Sequence, residues 1–135
     1  MRINPTKSMM ILIAFLLGGF LIPGCAPNGN HIGIQGNDLF YTPAVSSEEA
    51  HTIADYLVQT EFFANGQKSV QLDNVEGVPY FRLVVKEGFT LDSANRSTLH
   101  AYGRLLHEDL YKNKPFIFHI CDKNFRTLHA FSFKK

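Results

Sequence analysis

The feature that most constrains this chain is a pattern that occurs twice, 48 residues apart: helical apolar spacing, then two runs of alternating apolar residues. In the first copy Ser46 and Glu49 form a capping box. Ala50, Ile53, Ala54, Leu57, Val58 and Phe62 then share one helical face up to about Phe63, where Asn65-Gly66 stops the helix. Strands follow near 68–73 and 79–86, around a turn holding Asn74 and Gly77. In the second copy a helix over about 93–112 buries Leu99, Tyr102, Leu106 and Leu110, and Pro115 blocks its continuation. Strands near 116–121 and 126–133 flank a tight turn from Asp122 to Phe125. The shift needs no gap: Val58 falls on Leu106, Phe62 on Leu110, Val70 on Phe118, Leu72 on Ile120, and Leu83 on Phe131.

The pattern predicts an α+β domain over 38–135. Two α-β-β repeats form a two-layer sandwich, with two helices on one face of an antiparallel-rich sheet. A short N-terminal strand is added over 38–42, stopped by Pro43. Period two turns Val70, Leu72, Phe81, Leu83, Val85, Phe118, Ile120, Phe131 and Phe133 toward the helices. The opposite face of the first unit carries Gln71, Asp73, Arg82 and Val84, as a solvated sheet should. That of the second carries Ile117, His119, Cys121, Leu128 and Ala130, which is half apolar. Such a face fits an interaction patch, unless the N-terminal strand or the segment 87–92 folds over it. Paired α-β-β units are similar in unit order to exported domains of the BON type, but the glycine-bearing hairpin of that family appears only around Gly77 and has no counterpart near Lys123.

Ahead of this domain lies a different kind of sequence. Arg2 and Lys7 precede a run from Met9 to Ile22 that holds no charge. Roughly 14 apolar residues are too few to cross a hydrocarbon core of ~30 Å as a helix, but suit the apolar region of a secretory signal. Leu21-Ile22-Pro23-Gly24-Cys25 resembles a lipobox, and on it the chain looks like a bacterial lipoprotein precursor; Pro23 departs from the usual pattern. The resemblance implies that residues 1–24 are a removed signal peptide and that Cys25 carries a thioether-linked diacylglyceryl group, usually with an N-acyl chain. It also implies a cell-envelope location, at the outer membrane where there are two membranes, because Ala26 and not Asp follows the cysteine. Residues 25–37 read as the lipidated cysteine and a flexible Gly- and Asn-rich tether, whose dozen residues reach about 20 Å.

Composition narrows the functional classes. Removing 1–24 leaves 111 of the 135 residues, enough for one modest domain, with 11 basic against 12 acidic side chains. That balance lacks the concentrated basic face that nucleic acid requires. With Cys25 acylated, Cys121 is the only thiol left, so no internal disulfide forms.

Candidate chemistry is sparse, and no catalytic residue, cofactor or metal set stands out. His119 and Cys121 share one strand face, so a thiol lies beside an imidazole, with Asp122 next to them. On the second helix His100, Arg104, His107 and Glu108 read as a solvated face, Arg104 and Glu108 being an i, i+4 ion pair. His129 reads as a core-side histidine opposite Phe118. Three readings follow: a non-catalytic binding module whose partner is a protein, an envelope component or a second copy; a small thiol- or metal-dependent enzyme using His119 and Cys121; or an inhibitor or immunity-type lipoprotein. All share the membrane lipid at Cys25. Substitution of Cys25→Ala is expected to leave the signal uncut and abolish acyl incorporation, read by intact mass and by labelling with a palmitate analogue.

Overall fold

The computed structural model describes residues 28–135. The signal segment, the lipobox and Cys25 lie outside the described residues. The described chain is an α+β unit of two helices and an open, six-stranded mixed sheet. In chain order the elements are β1 (Asn30–Ile34), β2 (Asn37–Tyr41), α1 (Ser47–Gln59), β3 (Ser69–Val75), β4 (Val78–Val84), α2 (Ser93–Leu110), β5 (Phe116–Cys121) and β6 (Thr127–Phe133). The strands lie side by side in that same order. Three antiparallel hairpins, β1–β2, β3–β4 and β5–β6, are joined by two parallel pairings, β2–β3 and β4–β5, each bridged by a helix.

The first hairpin corrects the sequence reading. Residues 30–34, expected within the flexible tether, are paired in the sheet, so a hairpin stands where a lone strand over 38–42 was expected. Its turn is Gln35-Gly36, both with positive φ (51° and 80°), the combination that lets a two-residue turn follow strand twist. Asn37 fixes it. Its Nδ2 donates to the carbonyls of Ile34 and Gln35, and its Oδ1 accepts from the Lys68 N–H at 2.8 Å, tying the turn to the start of β3.

Helix α1 begins as its capping box requires, with the Glu49 N–H donating to Ser46 Oγ. It ends earlier than the apolar spacing suggested. Glu61 adopts φ 57°, the Phe62 N–H reaches back to the Leu57 carbonyl, and the Glu61 N–H to that of Val58. This left-handed cap releases Phe62 and Phe63 from the helix yet keeps both in the core. Helix α2 is capped by Asp92, whose Oδ1 accepts from the Asn95 N–H. Both helices cover one face of the sheet, and Tyr56 Oη of α1 donates to Asp109 of α2 at 2.7 Å.

The core between the layers holds Leu39, Leu57, Val70, Leu72, Phe81, Phe116, Phe118 and Ile120, each essentially inaccessible. Of the expected apolar stripe of α2, Leu106 is buried and Leu99 and Leu110 pack partly buried against the core, while Tyr102 is 43% exposed. Gly103, which has no side chain, lets α2 sit down on the sheet: a Cβ there would come within 2.8 Å of both the Phe118 and the Phe133 ring. Of the face expected to be solvated, His100, Arg104 and Glu108 are exposed and His107 is half-buried, and the rings of His100 and His107 lie 5.2 Å and 5.7 Å between centroids from Phe133. Gly103→Ala gains about 1 kcal/mol of helix propensity but incurs about 1–3 kcal/mol of overpacking. A net loss of up to about 2 kcal/mol is expected in urea denaturation, and a larger one for Gly103→Val.

Candidate functional site

The helix-free face of the sheet gathers nearly all the polar chemistry of the domain. Strand register lines up one row across it: His31, Phe40, Gln71, Arg82, His119 and Ala130, each the Cα partner of the next. Arg82 is its hub. One guanidinium nitrogen, Nη1, donates to Gln71 Oε1 at 2.8 Å and to Asp73 Oδ2 at 3.0 Å, and the guanidinium lies 5.3 Å from the Tyr80 ring centroid. Asp73 is further bound by the Thr42 hydroxyl at 2.6 Å and the Asn74 N–H at 2.8 Å. Burial pushes its pKa up, but these three bonds and the Arg82 charge outweigh that and hold the carboxyl below its usual 3.8.

His119 and Cys121 do lie together, as their two-residue spacing on one strand requires. Thr127 stands beside them: its Oγ1 is 3.0 Å from His119 Nδ1, and Thr127 is the Cα partner of Cys121. The Tyr80 ring covers His119 at 4.6 Å between centroids. Both residues are buried, and His119 Nε2 has no hydrogen-bond partner. If Nδ1–H donates to Thr127, Nε2 is a bare lone pair; in the other tautomer it is a bare N–H.

The electrostatics oppose thiolate chemistry. Burial, reinforced by the Arg82 charge and only partly offset by Asp73, pushes His119 down to about 4. Burial pushes Cys121 up to about 11 against the opposing effects of Arg82 and Thr127. An activated cysteine needs the reverse, a low thiol pKa beside a protonated imidazole. Here both groups are neutral over the whole range between those values. Among the described residues no three His, Cys, Asp or Glu side chains come together as a metal-binding set.

The other sequence-selected residues disperse. Of the expected patch, Ile117 is half-buried, Ala130 exposed and Leu128 61% exposed, while His119 and Cys121 are withdrawn from solvent. The Val85 N–H donates to the Cys121 carbonyl at 2.9 Å, and segment 85–89 with Lys123 and Leu128 borders a cleft of about 260 Å³. His129 pairs with Ile120, not Phe118, because a bulge offsets β5 and β6 only beyond that pair. No ion pair joins Arg104 to Glu108; those of the described residues are His31–Asp38 and Arg82–Asp73. Sequence reasoning missed Thr42, Tyr80 and Thr127, which make the network work, and Phe125, whose ring comes within 5.8 Å of Phe40 across three strand positions. Strands β2 and β5 stand about 14 Å apart in a flat sheet, so the β5–β6 turn, which carries Phe125, reaches over this face toward Phe40.

No protein-family model, curated protein or solved structure matches the chain.

The depressed His119 pKa has a testable sign. Between pH 6.5 and about 4 the unfolded chain binds a proton that the folded chain does not, so stability falls as pH falls through that window. Asp73 adds its own loss only below its usual 3.8. Urea midpoints measured from pH 7 to 4 should decline in the wild-type protein and decline less in His119→Leu; equal slopes would remove His119 as the cause.

Proposed function

We propose that the chain is a lipid-anchored bacterial envelope lipoprotein whose domain is a non-catalytic interaction module. The observation that carries the reading is the order of residues at the start: a basic head, an uncharged run from Met9 to Ile22, and Leu21-Ile22-Pro23-Gly24-Cys25 at its end. Two or three acyl chains on Cys25 would hold the protein durably, since one chain alone binds marginally and each further buried methylene contributes about 0.8 kcal/mol. Ala26 after the cysteine favours delivery to the outer membrane where there are two. No helix among the described residues is long and apolar enough to cross a membrane.

The binding role is supported by what the fold leaves uncovered. Leu128, Ala130 and Ile117 give the β5–β6 hairpin an apolar surface outside the core. The polar groups nearby are committed to each other, with Arg82, Asp73, Gln71 and Thr42 forming one closed network. Leu128, 61% exposed at the rim of this surface beside the cleft lined by Phe89 and Lys123, suits contact with a protein, an envelope component or a second copy.

The same reading includes the repeat. A shift of 48 carries the pair Val70–Leu83 onto Phe118–Phe131, and Leu72–Phe81 onto Ile120–His129. This supports descent of both α-β-β units from one unit, with the β1–β2 hairpin added ahead of them.

Affinity capture of the lipidated protein from its own envelope, compared with Leu128→Asp, tests the module. Loss of a captured component or of self-association, at unchanged thermal stability, is expected. Identical capture and identical size distribution would remove the β5–β6 surface from the proposal.

A further inference from the structure

The point where the described chain begins restricts how the domain can sit on a membrane. The main-chain carbonyl of Asn28 accepts a hydrogen bond from Gln71 Nε2 at 3.0 Å. Gln71 is itself buried, and its Oε1 is held by Arg82 on the helix-free face. Gly29, at φ 95°, passes so close to the Tyr41 carbonyl that any Cβ would collide with it. The chain therefore enters the domain over the helix-free side, fastened by a side chain and by a backbone approach that only glycine allows.

Cys25 stands three residues before Asn28. Three Cα–Cα steps of 3.8 Å span at most about 11 Å. Asn28 lies at the end of the sheet, so the shorter route to the outer side of the helices runs around that end, across a layer of about 10 Å and a further helix radius of about 5 Å. The covalent reach falls short of that.

We infer that the helix-free face of the sheet lies against the lipid headgroups, with the helices turned away from the bilayer; this rests on the reading that Cys25 is acylated. The surface suits that occupant. Asp73, Tyr80, Ile117 and Ser132 form one register row on it, Arg82, His119 and Ala130 lie in the next, and Asp73 and Arg82 are the only charged side chains among these seven. Arg82 and Asp73 cancel at 3.0 Å. Tyrosine is favoured at the membrane–water boundary, where its ring and hydroxyl meet different media. Lys134 and Lys135 follow β6 at the end of the sheet where Asn28 enters, opposed there by Glu76 of the β3–β4 turn.

The test uses the full processed protein, purified with its own acyl groups and reconstituted in vesicles of phosphatidylethanolamine and phosphatidylglycerol. One polarity-sensitive fluorophore is attached at Ser132→Cys on the inferred contact face, or at Glu108→Cys, exposed on α2 near the same end of the sheet; Ala130→Cys repeats the first position should Ser132→Cys fold poorly. Quenching by headgroup-spin-labelled lipid should be at least about threefold stronger at residue 132 or 130 than at residue 108. Equal quenching, or stronger quenching at residue 108, on protein whose intact mass includes the acyl groups would overturn the orientation and leave the anchor standing. An intact mass without acyl groups would overturn both.

Discussion

Two parallel strand pairings, β2 with β3 and β4 with β5, govern the rest of this molecule. Antiparallel neighbours can be joined by two residues, but parallel neighbours need a crossover long enough to return the chain to its starting end. Here each crossover is a helix, and both helices fall on one side of the sheet. One sheet face is thereby roofed with apolar side chains, and the other must satisfy its own polar groups. The Arg82 network is the answer to that second demand. It spans β3 and β4 and draws in Thr42 after β2, so that a single guanidinium helps to hold three segments that are distant in sequence.

The same division explains the state of His119 and Cys121. A thiol and an imidazole two residues apart on a strand are often read for reactivity, and proximity here is real. Their surroundings decide against it. Both are buried, His119 beneath the Tyr80 ring and beside the Thr127 hydroxyl, and a neighbouring guanidinium disfavours a second positive charge on the imidazole. The orphaned Nε2 is the residual cost of placing a two-nitrogen ring where only one partner is available.

Much of the architecture was legible because period-two and period-3.6 patterns were strong where the core is. Val70, Leu72, Phe81, Phe118 and Ile120 alternate cleanly and are all buried. What escaped did so for identifiable reasons. Asn30–Ile34 has too few large apolar residues to announce a strand, and its Gln35-Gly36 turn lacks the Asn-Gly signature; long-range pairing with β2 overrides weak local preference. Leu99, Leu106 and Leu110 of α2 were legible, whereas the closeness of that helix to the sheet was not, because Gly103, which sets it, contributes no hydrophobic signal. The site was half legible: adjacency of His119 and Cys121 follows from spacing alone, whereas their protonation depends on Tyr80, Arg82 and Thr127, which sequence separation hides.

Spatial order and chain order of the strands are identical, from β1 at one edge to β6 at the other. No strand has to be threaded between two that are already joined. A polypeptide delivered gradually from its amino end can thus assemble by accretion, each arriving hairpin finding an open edge left by its predecessor. The last edge to be supplied is β5–β6, and until it arrives Phe81 and Leu83 are flanked by Leu72 and Val70 on one side only. The vulnerable interval in the life of this protein is accordingly the short one between emergence of α2 and closure of the final hairpin, when a truncated or stalled chain would expose its most apolar seam.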